Sequence, residues 1–401
     1  MDWSDTPEQT TFREEVRALI QERLPERYRR GNAEARWQGD RASGNPEAHA
    51  AAMSWTQALS EKGWVAPHWP KEYGGAGMTP MEQFLFNQEM AEASAPLAAS
   101  IHGVAMLGPT LIVHGTDEQR REHLSKILSG EVVWCQGYSE PGAGSDLASL
   151  QTRAVRDGDE YVVNGQKIWT SGAQTADWVF ALVRTDPEAP KHRGISFLMI
   201  DLKSPGLSVR PIINMAWGDD LNETFFEDVH VPAKNLVGEE NRGWYVGMTL
   251  LDFERSGISN AVGSRRNVAD LVAATTGDHR DRARLDESSV RAELADRFIE
   301  TEVSYQFSLR IVSMQNSGLI PNHEASSGKL FNSEVTQRIA RTGTKVFGLY
   351  GNLWDAKDPR APMAASYTHS YVNSLPSTIA GGSSEIQRNI IATRGLGLPR
   401  G

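Results

Sequence analysis

The 401-residue chain has a single cysteine, Cys135. No disulfide can close within it, which fits a reducing compartment. Long apolar runs are also missing, and none approaches the ~18 residues of a membrane-spanning helix. The opening residues, Met1-Asp2-Trp3-Ser4-Asp5, are acidic and lack the apolar core of a secretory signal. Basic residues are outnumbered, 41 Lys and Arg against 51 Asp and Glu, for a net charge of −10 and a pI near 5.6. An acidic chain is a poor partner for nucleic acid or an anionic membrane, so any site for a phosphorylated ligand must be local. His102 and His114 lack partners at metal-ligand spacing, and no metal site is expected. No short-period repeat runs through the chain. These absences point to a soluble cytoplasmic protein with no membrane span and no nucleic-acid role.

The chain does carry enough apolar material for large cores, with 39% hydrophobic and 8% aromatic residues. Its length suits two or three domains of roughly 100–200 residues each. The first third reads helical. Thr6-Pro7-Glu8-Gln9 aligns an N-cap, an N1 proline and a capping-box glutamine, and Phe12, Val16, Leu19 and Ile20 follow at helical spacing. Similar starts occur at Thr79-Pro80-Met81-Glu82 and Thr116-Asp117-Glu118-Gln119, with a Pro/Gly-rich loop from Ala66 to Gly77. Beyond Gly130 the pattern turns to strands: Val132–Tyr138, Trp178–Val183, Ile195–Ile200 and Thr224–Val231. Turn signals stand at Asp157-Gly158 and Asn164-Gly165, flanked by Tyr161-Val162-Val163 and Ile168-Trp169-Thr170. From Asn241 the chain is helical again, over about 241–276, 287–318 and 323–350, with a last helix after Gly381-Gly382-Ser383-Ser384. The expected organisation is a helical domain over 1–130, a β domain over 131–240 and a helical bundle over 241–401, an α+β multidomain protein.

Four stretches could carry chemistry. Ser139-Glu140-Pro141-Gly142-Ala143-Gly144-Ser145-Asp146 is no dinucleotide fingerprint, because a hairpin follows it where a Rossmann loop opens a helix. Its small residues would suit a bound cofactor, but an ordinary tight turn has the same composition. Lys167-Ile168-Trp169-Thr170-Ser171-Gly172 sets a flat aromatic beside two hydroxyls; taken alone, a strand-end tryptophan in the core explains it as well. Gly381-Gly382-Ser383-Ser384-Glu385 opens a helix, which suits either plain capping or an anion. Glu254 lies four residues from Leu250 and from Ile258, on an apolar helical stripe where burial would raise its pKa. It reads equally as a base and as a rim glutamate paired to an arginine from another element. Arg255, its neighbour in sequence, cannot face it from the same helix. Cys135 reads as core and the Arg280–Arg284 charge run as a solvated loop.

Taken in order, these motifs resemble the acyl-CoA dehydrogenase family along nearly the whole chain. Residues 139–146 look like its flavin- and acyl-CoA-contacting segment, and 167–171 like its second flavin segment. Glu-Asp-Val-His-Val-Pro at 227–232 matches the end of its β domain, and Ser-Ser-Glu-Ile-Gln-Arg-Asn-Ile-Ile at 383–391 its C-terminal segment. The resemblance implies the family fold: helical N-terminal domain, β-barrel or sandwich middle domain and C-terminal helical bundle. It implies FAD as cofactor, acyl-CoA as substrate and an electron-transfer flavoprotein as partner. Gln136, Ser139, Gly144, Ser145, Trp169, Ser171, Ser383 and Glu385 would then contact FAD, with Trp169 over one face of the ring and Ser171 near its edge. Ser145, Asp252, Arg255 and Gly381 would contact the substrate.

Two departures matter. Most of the family carries its catalytic glutamate where this chain has Gly381, preceded by Ala380 where tyrosine is common. The isovaleryl-CoA and long-chain types carry the base on an earlier helix, and Leu-Asp-Phe-Glu-Arg at 251–255 looks like that alternative site. The loss at 381 and the gain at 254 occur together, so the resemblance makes Glu254 the base. Glu254 would take the α-proton as hydride leaves the β-carbon, giving a 2,3-enoyl-CoA. The Gly381 amide would still stabilise the thioester oxygen. With Ala380 beside it, Gly381 implies a wide pocket for branched, long or ring-bearing acyl groups. The second departure is at Ala274–Arg280, which lacks the family's Arg-x-x-Phe-Gly element, while Lys345 stands where glutamine is usual. The departure resembles bacterial members that assemble as α2β2 with an unlike partner, but a homotetramer is the simpler reading. Two alternatives to a catalytic dehydrogenase also stand: an FAD-supporting, non-catalytic subunit, and a same-fold flavin oxidase or monooxygenase.

Overall fold

A computed structural model of the chain describes residues 4–29, 35–249 and 257–399. It divides into two compact units, one of residues 1–79 and 93–254, the other of 80–92 and 255–401.

The first unit opens with α1 (Pro7–Arg23). Thr6 caps it, accepting from the Gln9 amide at 3.3 Å while the Gln9 side chain accepts from the Thr6 amide at 3.0 Å. This reciprocal box satisfies two donors that the first helical turn leaves unpaired. Helices α2 (Trp37–Ala42) and α3 (Pro46–Ser60) follow; α4 (Pro80–Ala93), but for its last residue, belongs to the second unit. A π-helical turn (His102–Leu107) leads into α5 (Gly108–His114), and α6 (Asp117–Leu128) opens on a second box between Thr116 and Gln119. Trp69 is fully buried and donates its indole N–H to the Val104 carbonyl at 2.9 Å. The packing around it needs glycine: a Cβ on Gly108 would lie 1.8 Å from the Trp69 ring.

Seven strands follow: β1 (Trp134–Gly137), β2 (Arg153–Asp157), β3 (Glu160–Lys167), β4 (Trp178–Arg184), β5 (Ile195–Asp201), β6 (Leu207–Ile212) and β7 (Leu221–Pro232). They form one sheet in the order β1-β4-β2-β3-β7-β6, with β5 also paired to β4. Strands β4 and β5 are apolar on both faces and are covered on both. Phe180, Leu182, Phe197 and Met199 join a core with Leu107 and Leu111 from the helices and Trp69 from a loop. Val179, Ala181, Val183, Leu198 and Ile200 point the other way and meet Cys135, Tyr161, Val163 and Phe226. The period-2 alternation of strand side chains places these two sets on opposite faces. Cys135 is core, and burial pushes its thiol pKa up. A last helix of this unit, α7 (Gly243–Thr249), packs by β5.

Several sequence expectations need correction here. Asp157-Gly158 does turn the β2–β3 hairpin. Asn164-Gly165 turns nothing; it lies inside β3 opposite a bulge in β7, where Glu227 and Asp228 together face Asn164 and the Asn164 side chain donates to Asp228 at 2.9 Å. Glycine's positive φ serves this junction as it would a turn, so the dipeptide does not separate them. Strand β3 ends at Lys167, so Ile168-Trp169-Thr170 is loop. Strand β6 was not expected, because Leu207–Ile212 is half polar and carries Pro211.

The second unit holds most of α4, then α8 (Ile258–Thr276), α9 (Ser288–Asn316), α10 (His323–Phe347), α11 (Ser366–Asn373) and α12 (Ser384–Ile390). Helix α4 joins it through Phe84, edge-on to Tyr305 at 6.0 Å, and through Gln88, which accepts from the Tyr305 hydroxyl at 3.2 Å. A line of ion pairs ties α9, α10 and α12: Arg297 with Glu300 (2.6 Å), Glu300 with Arg338 (2.8 Å) and Glu334 with Arg388 (2.7 Å). The expected long helix over 241–276 is described only at α7 and α8, the residues between lying outside the description. The short α11 was not expected; its sequence is polar, and its one buried residue, Tyr367, packs on Gly343. No helix of the described residues is long and apolar enough to cross a membrane.

Candidate active site

The two flavin-like stretches leave the ends of β1 and β3 within the first unit. In the first, Glu140 and Ala143 exchange backbone hydrogen bonds of 3.0 Å, so it is a tight turn as its composition allows. Gln136 lies on β1 and is half-buried with Ser139, while Gly144 and Ser145 are exposed at the turn's far side. A Cβ on Gly144 would meet nothing within 4 Å, so open space and not packing surrounds this position.

The second stretch is fastened to the first by charge. Lys167 is fully buried, and its ammonium lies 2.7 Å from the Glu140 carboxylate and donates to the Tyr138 carbonyl at 3.1 Å. Glu140 also accepts from the amides of Gln151 (2.6 Å) and Thr152 (2.8 Å). Burial pulls the Lys167 pKa down to about 8, with Glu140 opposing. Burial works against ionisation of Glu140, yet Lys167 and the Thr152 and Gln151 contacts hold its carboxyl below the usual range. One backbone bond, Ile168 N–H to the Ser139 carbonyl at 2.9 Å, completes the junction.

Past that junction the chain turns Trp169 outward. Thr170 N–H donates to the Asn222 carbonyl at 3.0 Å, and the Asn222 side chain donates back to the Thr170 carbonyl at 3.0 Å. Pinned on both sides, Trp169 takes φ +62 and leaves 56% of its surface exposed. A bulky residue at positive φ is strained, and such strain persists only where the surroundings over-determine it. A core tryptophan is therefore excluded. Ser171 is half-buried beside it, and Gln38 on α2 secures the end of the loop at Thr175 (3.0 Å). The Thr170 hydroxyl is buried with no hydrogen-bond partner among the described residues.

Three further expected site residues lie in the second unit. Gly381 and Gly382 have φ +64 and +88, and Ser383 caps α12, accepting from the Ile386 amide at 3.4 Å. Gly381 is exposed, and a Cβ there would meet nothing within 4 Å. Glu385 is exposed; its own amide and the Ser383 hydroxyl hold its carboxyl below the usual range. Next to it is a cavity of about 460 Å³ bordered by Gln337, Arg338, Arg341, Ser384, Glu385 and Arg388. The Ser384 hydroxyl is buried there without a partner among the described residues. Asp252, Glu254 and Arg255 lie outside the described residues. No group of three or more His, Cys, Asp or Glu side chains among the described residues is placed to hold a metal ion.

The family models for the acyl-CoA dehydrogenase N-terminal, middle and C-terminal domains match residues 6–131, 135–229 and 241–396. The chain belongs to the acyl-CoA dehydrogenase family. It is 39% identical to the acyl-CoA dehydrogenase FadE26 of Mycobacterium tuberculosis, over 99% of this chain and 98% of that one. To the acyl-CoA dehydrogenase IpdE1 of the same organism it is 36% identical, over 88% and 90%. Among solved structures, the Tcur3481-Tcur3483 steroid ACAD superposes with a TM-score of 0.85 at 34% identity, covering 100% of both chains. The ChsE4-ChsE5 complex of Mycobacterium tuberculosis gives 0.81 at 36%, again over 100% of each. The chain is thus an oxidoreductase of the acyl-CoA dehydrogenase class.

The family implies FAD, and this chain's residues fit it. An exposed indole held in a strained conformation offers a face to a planar ring. The cavity beside Glu385 is mixed in charge, since Arg338 and Arg388 pair with Glu300 and Glu334, and carries no argument for the cofactor. Reading the sequence did not single out Glu140 or Lys167, though both stand inside the quoted motifs. Their signal was opposite charge, acids at 140 and 146 in the first stretch against the lone Lys167 in the second. Asn222 carried no such signal.

The buried pair gives a direct test. Lys167→Met leaves Glu140 desolvated and unpaired, and should cost about 3–5 kcal/mol of stability in urea unfolding. Adding Glu140→Gln to Lys167→Met should recover part of that loss. Strict additivity of the two single effects would show that the charges are not coupled.

Proposed function

We propose that this acyl-CoA dehydrogenase oxidises the Cα–Cβ bond of an acyl-CoA whose acyl group bears a bulky ring system, with Glu254 as base. The observation that carries the reading is the bare position 381. It can supply no proton acceptor, so the base must come from elsewhere, and the acid at 254 matches the family's alternative placement. Gly381 keeps its backbone amide, and the space about it is open. With Ala380 beside it, that space favours a wide acyl group. The name of one solved relative, a steroid ACAD at 34% identity, supports the same choice.

In this reading Gln136, Ser139, Gly144, Ser145, Trp169, Ser171, Ser383 and Glu385 contact FAD. When bound, FAD supplies a two-electron acceptor for the β-hydride. The chain's own residues do the rest. Ser145, Asp252 and Arg255 orient the thioester. The Gly381 amide faces the carbonyl oxygen, where negative charge grows as the α-proton leaves. The Glu254 carboxylate accepts that proton, and exclusion of water by the substrate brings its pKa toward working pH. An electron-transfer flavoprotein is the proposed partner that reoxidises the protein.

Assembly belongs to the same proposal. Phe298, Ile299, Ile320 and Leu349 leave more than half of their surfaces exposed on the second unit. Large exposed apolar side chains in number mark interaction surfaces. The two solved relatives are each named as pairs of chains, which favours an α2β2 tetramer with a related subunit over a homotetramer.

Three measurements test the proposal. Glu254→Gln should retain FAD yet lose anaerobic bleaching by acyl-CoA by at least about 10³-fold; unchanged turnover removes Glu254 from its role. In a kcat/KM panel, CoA thioesters of steroid side chains should exceed butyryl-CoA by more than about 100-fold, and the reverse order defeats the wide-pocket reading. Light scattering should find the chain, expressed alone, short of a stable FAD-loaded tetramer. A complete homotetramer with full FAD excludes the unlike partner.

A further inference from the structure

Lys329 lies on the second turn of α10, partly buried, with its ammonium 2.6 Å from the Gly382 carbonyl oxygen. The Gln387 carboxamide, on α12, donates to the same carbonyl at 3.3 Å and to the Gly381 carbonyl at 3.2 Å. Two consecutive carbonyls of a glycine loop are therefore gripped by side-chain donors from two helices. Nothing else in the loop's backbone is so engaged: the amides of Gly381, Gly382 and Ser383 donate to no group among the described residues. Both glycines are in the left-handed region, where a side chain is strained whatever the space around it.

A peptide plane has its carbonyl and N–H on opposite sides. Fixing the carbonyls of Gly381 and Gly382 fixes where the next two N–H groups point, and the Gly381 amide plane is held between that grip and the Ala380 N–H, which donates to the Pro376 carbonyl at 2.9 Å. A charged donor is the stronger kind of hydrogen bond, and it holds a glycine loop that is otherwise free to adopt many conformations. Burial lowers the Lys329 pKa, with Glu385 opposing. Donors aimed at developing charge act through position, so what holds a donor in place counts in the reaction.

We propose that Lys329 is a positioning residue: with Gln387 it clamps the Gly381–Gly382 carbonyls so that the loop's amide faces the thioester oxygen as enolate charge develops. This rests on the reading that the Gly381 amide is an oxyanion donor. It predicts that the lysine acts on the transition state and not on substrate affinity.

The test compares the FAD-loaded protein with Lys329→Met and Lys329→Arg. Lys329→Met should lower kcat by about 10–100-fold with KM within about 2-fold, and Lys329→Arg should recover most of the loss. A 3-thiaacyl-CoA, whose α-proton ionises in the site, reads enolate stabilisation directly through its long-wavelength charge-transfer band. Its apparent pKa on the protein should rise by about 1–2 in Lys329→Met, with enoyl-CoA binding unchanged. Hydrogen exchange at residues 380–384 without ligand should quicken in the same variant. Should that variant fail to fold, Gln387→Leu removes the second clamp and should shift the same quantities in the same direction. A wild-type protein with no charge-transfer band overturns the oxyanion reading and the proposal with it. A wild-type band that Lys329→Met and Gln387→Leu both reproduce overturns the proposal alone, as does a loss of kcat that tracks FAD loss.

Discussion

The buried contact between Lys167 and Glu140 sets most of the geometry of the first unit's site. Each charge has been taken out of water, and neither can stay there without the other. Lys167 closes strand β3 and Glu140 opens the turn after β1, so satisfying the pair brings the two loops to one place. The Gln151 and Thr152 amides occupy the remaining carboxylate lone pairs, which ties the start of β2 to the same point. The Ile168–Ser139 backbone bond then fits without adjustment, and Trp169, next in line, has nowhere to go but outward. The strain at Trp169 is offset by the bonds that flank it, and an exposed aromatic face is the result.

The second unit repeats that logic with a lighter hand. There the part held is a glycine loop, and the fixing groups are one ammonium and one carboxamide on the carbonyl side. Loss of the glutamate common in the family at this position removes a side chain but leaves the backbone donor and opens space.

Much of this was readable from local patterns. Thr6 with Gln9 and Thr116 with Gln119 form reciprocal caps because the residues concerned lie three apart. The turn at Asp157-Gly158 needs only two adjacent residues. Motif order along the chain sufficed for the family. Failures came where one local signal serves two tertiary ends. Asn164-Gly165 runs on as strand because a bulged β7 pairs across it, and Trp169 is exposed because distant Asn222 and Ser139 pin its neighbours. Strand β6 and helix α11, being polar, announce nothing until their partners are present.

Residues within one helical turn or one hairpin determined the caps, the turn and the alternation that splits β4 and β5 between two cores. Those interactions close over a few positions and are the same in any chain carrying the same letters. Contacts such as Glu140 with Lys167, 27 positions apart, or Lys329 with Gly382, 53 apart, have no local signature. Only the tertiary structure decided them, because a buried charge takes as partner whichever group the packing of whole elements delivers to it, and sequence distance has no part in that choice.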